Sequence, residues 1–87
     1  MAEIHLPSTL RPLFAELPRS VDVDAATVGA AIAELDRRWP GLRDRLCESG
    51  QQLRRHIHVY VNGERGDLST AVDERARLDV IAAISGG

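Results

Sequence analysis

Lysine is absent from this sequence: all eleven basic residues are arginine. That excludes lysine chemistry such as Schiff-base formation, and it leaves no side-chain amine for isopeptide bonding to this chain. Cysteine is nearly as scarce. The single Cys47 excludes an internal disulfide framework and any structural zinc site built on several thiolates. No apolar run approaches the ~20 residues that span a bilayer, so no membrane partner is expected. Met1-Ala2-Glu3-Ile4-His5 lacks the basic and apolar segments of a secretory signal, which makes the cytoplasm the expected compartment. An excess of positive charge is missing too. With a net charge of −2, the chain does not suggest a nucleic-acid partner, since a phosphate backbone asks for clustered cations. Length is the last shortage. A chain of 87 residues leaves no room for a second core, and one domain over residues 1–87 is expected. Such a chain buries only about 60–65% of the surface its unfolded form exposes, which argues against a deep enclosed active site.

What is present is strong patterning. Ile4 and Leu6 alternate with Glu3 and His5, a short strand with one face on a core. Pro7 and Pro12 bracket Ser8–Arg11, which reads as a turn or a single helical turn. Ser20–Val23 alternates again and is expected to neighbour the first strand. Val28, Ala31, Ile32, Leu35 and Trp39 fall at offsets of 0, 3, 4, 7 and 11, one apolar stripe at helical period. Thr27 is placed to cap that helix and Pro40 to stop it, with Arg37 and Arg38 suiting the negative end of its dipole. Leu42 and Leu46 suggest a shorter helix ending near Ser49-Gly50.

Ile57, Val59 and Val61 alternate with His56, His58 and Tyr60 in the clearest strand of the chain. Asn62-Gly63 follows, a type I′ hairpin signal because both turn positions need positive φ. Glu64–Leu68 should be the returning strand, and Ser69–Arg77 is polar and irregular. Leu78–Ile84 is almost wholly apolar, as for a central strand. Together these elements predict an α+β fold of the β-grasp, or ubiquitin-like, kind: a mixed sheet of about five strands with one main helix packed across one face.

The chemistry is expected at the end of the sequence, Ser85-Gly86-Gly87, in an extended tail of residues 84–87. Four residues reach roughly 13 Å at about 3.3 Å each. A carboxylate becomes an acyl donor only when its oxygen is made a good leaving group, as in an acyl-adenylate formed from ATP. It must therefore enter another protein's nucleotide site, and residues without Cβ pass a narrow channel and take whatever φ the approach demands. Reacting atoms need alignment within about 3–3.5 Å, which a bulky penultimate side chain would obstruct. Sulfide attack on the adenylate would leave a terminal thiocarboxylate. In this reading Gly87 reacts, Gly86 threads, and the protein is a cosubstrate that binds no cofactor itself.

Several segments resemble the MoaD/ThiS family of β-grasp sulfur carriers over essentially the whole chain. They are Thr27-Val28-Gly29 opening the helix, Trp39-Pro40-Gly41-Leu42 closing it, Val59-Tyr60-Val61-Asn62-Gly63 at the hairpin, and Val80 to Gly87 at the end. Leu6 to Pro12 and Pro40 to Leu46 further resemble the CysO-like branch, which serves cysteine synthesis. The resemblance implies adenylation of Gly87 by an E1-like enzyme of the MoeB/ThiF type, which uses the ATP, followed by thiocarboxylation. It also implies a downstream sulfur-accepting partner: a cysteine synthase-like enzyme, a molybdopterin synthase large subunit, or an enzyme of natural-product biosynthesis. The alternative is a non-activated ubiquitin-like subunit whose tail inserts into a partner, with the small subunit of a molybdopterin-synthase-like complex between the two. Two positions depart from the family pattern: Ala82 stands where proline is common, and Glu74-Arg75-Ala76 where an Asp-Gly-Asp-type turn precedes the last strand.

Several other side chains carry groups capable of chemistry. Cys47, beside Leu46 on the short helix with no basic partner in view, reads as packing rather than a persulfide site. His56 and His58 share a strand face, with His5 on the same side of the sheet, but no third ligand is placed and no metal is expected. Glu34 and Asp36 read as solvated charges, and Arg54 with Arg55 as a solvated cluster. Strict alternation turns Ile81 and Ala83 away from Leu78 and Val80. With Tyr60, Ile84 and Ser85 they form the expected partner-binding patch on the open sheet face.

Overall fold

The computed structural model describes residues 1–48 and 52–82. Ala2 and Ile4 are buried on one side of strand β1 (Ala2–His5) while Glu3 is exposed on the other, the period-2 pattern of a half-covered strand. The two prolines after it favour a tight coil, and Ser8–Leu13 forms a 3-10 turn that buries Leu10. Strand β2 (Ser20–Val23) returns antiparallel to β1, with Ala2 opposite Val23 and His5 opposite Ser20.

Helix α1 (Val28–Arg38) follows, its stripe of Val28, Ala31, Ile32 and Leu35 wholly enclosed. Its first turn is fully satisfied. The Thr27 hydroxyl accepts from the Ala30 amide at 3.1 Å, and the Val28 and Gly29 amides donate to the carbonyls of Thr70 and Leu68 at 3.0 and 2.9 Å. Gly29 approaches so closely that a Cβ there would lie 3.1 Å from the Leu68 oxygen. Residues 67–72 thus dock on the start of α1, and the stretch that reads as polar and irregular buries Val72 and Ala76.

Trp39 ends α1, and a short helix α2 (Leu42–Leu46) turns off it. The Asp36 carboxylate accepts from the amides of Gly41 and Arg43 at 3.1 and 3.0 Å, so it ties the two helices together. Glu34 takes the guanidiniums of both Arg37 and Arg38. Both acids lie at the surface as the sequence suggests, but each is engaged with named partners. Cys47 also departs from expectation: it opens strand β3 (Cys47–Glu48), which pairs with β4 (Gln52–Leu53) in a separate two-stranded ribbon. The expected end of α2 near Ser49-Gly50 lies outside the described residues, and the helix finishes earlier, at Leu46.

Strand β5 (Ile57–Val61) and strand β6 (Glu64–Gly66) form the expected hairpin, with φ of 51° at Asn62 and 85° at Gly63 as a type I′ turn requires. The return is shorter than expected. Asp67 stops it, because its carboxylate accepts from the Ser69 amide and hydroxyl and its own amide turns to Thr70 Oγ1. The turn at Asp73–Ala76 closes without glycine: the Ala76 amide donates to the Asp73 carbonyl at 3.1 Å and the Arg75 amide to the Asp73 carboxylate at 2.8 Å.

Strand β7 (Arg77–Ala82) then runs parallel to β1 and antiparallel to β5. The sheet order is β2-β1-β7-β5-β6. A mixed five-stranded sheet with α1 across one face is the β-grasp arrangement expected above. The core lies between sheet and helix, where Ile4, Val59 and Leu78 meet Ile32 and Leu35 with no exposure.

Candidate functional site

The functional reading turns on β7, the strand that precedes the terminal segment. Leu78 and Val80 point into the core and Ile81 points out, 45% exposed, as alternation requires. Register then decides what surrounds Ile81. Across β5, His58 lies opposite Ile81 and Tyr60 opposite Asp79; across β1, His5 lies opposite Asp79. These side chains share the sheet face away from α1. A shallow depression of about 400 Å³ lies there, lined by His5, Leu6, Tyr60, Gly63, Asp79 and Ile81. Two of the expected patch residues, Tyr60 and Ile81, are therefore brought together on the open face. Ala83, Ile84, Ser85, Gly86 and Gly87 lie outside the described residues.

The patch is held from its edges. Asn62 accepts from the Arg77 amide through Oδ1 at 2.9 Å and donates its own amide to the Arg77 carbonyl at 2.8 Å, locking the hairpin tip to the start of β7. The Arg77 guanidinium pairs with Asp79 at 3.1 Å along the same face. Glu3 and His5 form a second polar pair nearby. So the apolar groups of this face, Tyr60 and Ile81, lie beside a charged Arg77–Asp79 pair on the central strand, a mixed composition suited to a surface that associates and separates. Arg77 and Asp79 were missed as site residues, although their parity with Ile81 already placed them on this side.

The remaining candidates separate from the patch. His56 does not share the face of His58. The Ile57 amide donates to the Arg54 carbonyl, and that turn lifts His56 out of the strand's alternation toward the opposite side. His58 Nδ1 is buried and, among the described residues, has no hydrogen-bond partner. Among those residues no three His, Cys, Asp or Glu side chains gather as a metal site would need. Cys47 is buried at 4% exposure. Its burial pushes the thiol above its ordinary range, against the opposing pull of Arg43 and Arg54, so thiolate chemistry at neutral pH is disfavoured. Basic groups do stand near it, contrary to the sequence reading, but desolvation outweighs them. No helix among the described residues is long and apolar enough to cross a membrane.

Architecture and exposed strand face define a ubiquitin-like β-grasp protein. The sequence matches the ThiS family over residues 4–87, and the chain belongs to that family. It is similar to the sulfur carrier protein CysO of Mycobacterium tuberculosis, 31% identical over 97% of this chain and 96% of the relative. Among solved structures, a chain of the Amycolatopsis orientalis BexX/CysO complex superposes with a TM-score of 0.89 at 31% identity, covering all of both chains. SAMP1 of Haloferax volcanii gives 0.81 at 32% identity over 99% of this chain and 98% of its own.

Proposed function

We propose that this protein is a cytoplasmic sulfur carrier that acts through the carboxylate of Gly87. The observation that carries the reading is the ThiS-family match running through the final Gly86-Gly87. The geometry supports it. β7 is paired on both sides, to β1 and β5, and Ala82 is still in register opposite Ile57. The five residues beyond can span at most about 17 Å, enough to place a terminal carboxylate in a neighbouring protein's nucleotide site.

Activation follows from carboxylate chemistry. A Gly87 oxygen attacks the α-phosphorus of ATP held by an E1-like partner, and pyrophosphate leaves. Sulfide then attacks the acyl carbon of the mixed anhydride, AMP leaves with the bonding electron pair, and a thiocarboxylate remains. That sulfur is the nucleophile handed to a second enzyme. The carrier contributes no general base; it provides an addressed acyl group, and so acts as a protein cosubstrate. Similarity to CysO proteins favours an acceptor that makes cysteine or a sulfur-containing natural product, and the BexX/CysO complex shows that one relative docks on a separate protein.

The test is ATP–pyrophosphate exchange with the cognate E1-like enzyme. Exchange should require Gly87, and a sulfide source should then add one sulfur-for-oxygen replacement within the C-terminal peptide. A sulfur atom added at Cys47 instead, as a persulfide, would refute the mechanism, as would tight binding to the enzyme without ATP turnover.

A further inference from the structure

A second surface borders the root of the tail, on the other side of the sheet from Tyr60 and Ile81. Consecutive strand residues point to opposite faces; Ile81 faces the open side, and Ala82 lines a groove of about 670 Å³. Three stretches distant in sequence meet there: the 3-10 turn, α2 and the turn before β5. The floor is apolar, made by Leu10, Leu13, Ile57 and Ala82. Leu13 is 50% exposed, among the most exposed large apolar side chains described. The rim carries Arg45, Arg54 and His56, with Asp44 as the one carboxylate lining the groove among the described residues.

The rim is set against the character of the whole chain, which is net acidic. Arg54 is fixed in place: its Nε donates to the Asp44 carbonyl at 2.8 Å and its backbone amide to the Leu46 carbonyl at 2.9 Å. Among the described residues no carboxylate pairs with Arg45 or Arg54. A guanidinium held in one orientation loses less entropy when it binds a carboxylate, and the planar fork favours that ligand. A nucleic-acid backbone fits poorly, because Asp44 stands on the rim and the floor is apolar.

We infer that this groove docks an acidic segment of the enzyme that receives the tail: an apolar side chain seated over Leu13 and Ala82, flanked by carboxylates on Arg45 and Arg54. The partner's identity rests on the carrier reading; the groove's ligand chemistry does not. The tail root would then be gripped from both sides, by the open sheet face and by this groove.

The experiment is an amide-resolved NMR titration of the full chain with a capped Glu-Leu-Glu-Asp-Leu peptide, its Gln/Asn analogue, and a short oligodeoxynucleotide. The acidic peptide is expected to shift Leu10, Leu13, Arg45, Ile57 and Ala82, and to weaken as salt rises. The neutral analogue should bind up to about thirtyfold more weakly, as two exposed ion pairs of up to about 1 kcal/mol each imply, and the Arg45→Glu/His56→Glu variant, which removes the Arg45 pair, at least about fivefold more weakly with the acidic peptide. The variant's melting temperature, measured alongside, should match that of the unmodified chain. Equal binding of the neutral peptide would overturn the inference. So would shifts confined to Tyr60 and Ile81, or stronger shifts from the oligonucleotide. Pyrophosphate exchange on the unmodified chain is read separately, so a failure of the carrier chemistry cannot be mistaken for a failure of the groove.

Discussion

Replacing Ile81 by alanine tests the open face directly. The substitution removes three carbons, worth about 2.4 kcal/mol if fully buried at ~0.8 kcal/mol each. In the free protein Ile81 is 45% exposed, so roughly half of that, about 1 kcal/mol, is left for a partner to gain on covering it. At about 1.36 kcal/mol per factor of ten, the KM of the carrier for its activating enzyme should rise about fivefold. The kcat should not change, because the tail proposed to react is intact and the lost contact is equally present before and in the transition state. The other half of the burial is lost from the folded protein, lowering the melting temperature by about 4–8 °C for about 1 kcal/mol in a domain of this size. The assay is steady-state pyrophosphate release with the carrier as varied substrate, beside thermal unfolding of the same sample. A KM within twofold of the unmodified chain would refute the docking argument, and so would a fall in kcat at constant KM.

Gly63→Ala puts a side chain at φ 85°, which should cost about 1–2 kcal/mol of stability; a denaturant melt with an unchanged midpoint would contradict the hairpin geometry. Glu34 is held below its ordinary 4.5 first by the Arg37 hydrogen bond and then by Arg38. A depressed folded value means that its stabilisation is complete above the unfolded value and is lost as pH falls through the folded one. The melting-temperature gap between the protein and Glu34→Gln should therefore be steady near neutrality and close in acid, whereas a gap that widens on acidification would oppose this sign. Cys47, buried with its thiol pushed up, should react with a thiol reagent far more slowly in the native state than in denaturant; equal rates would show that it is accessible.

Most of the architecture was legible in the sequence because its elements are long enough to show a period. The α1 stripe repeats over three turns and Ile57–Val61 alternates over five residues. The β3–β4 ribbon was not legible: Cys47–Glu48 and Gln52–Leu53 have two residues each, too few to carry alternation. The partners of Asp36 were not legible for a related reason. Its hydrogen bonds go to Gly41 and Arg43, and only the chain reversal after Pro40 brings those amides within reach. Of the site, the sidedness of Ile81 followed from parity alone, and its meeting with Tyr60 was expected from the fold. That Asp79 stands between Tyr60 and His5 depends on the β5–β7–β1 register, which local pattern does not specify. The groove at Ala82 is less legible still, since its lining runs from Pro7 to Ala82, nearly the whole chain.

Register also sets how β7 is held ahead of the tail proposed to react. β1 accompanies β7 only from Arg77 to Asp79, whereas β5 accompanies it to Ala82. The first half of β7 is therefore clamped on both edges and anchored by Leu78 in the core, and the last residues keep one ladder only. That gradient holds β7 most firmly where it begins and, among the described residues, leaves Val80 to Ala82 with the β5 ladder alone. An exposed strand edge is normally a liability. On the proposed carrier reading, the stretch from Val80 to Ala82 that keeps one ladder is where a receiving enzyme would pair at the moment of transfer.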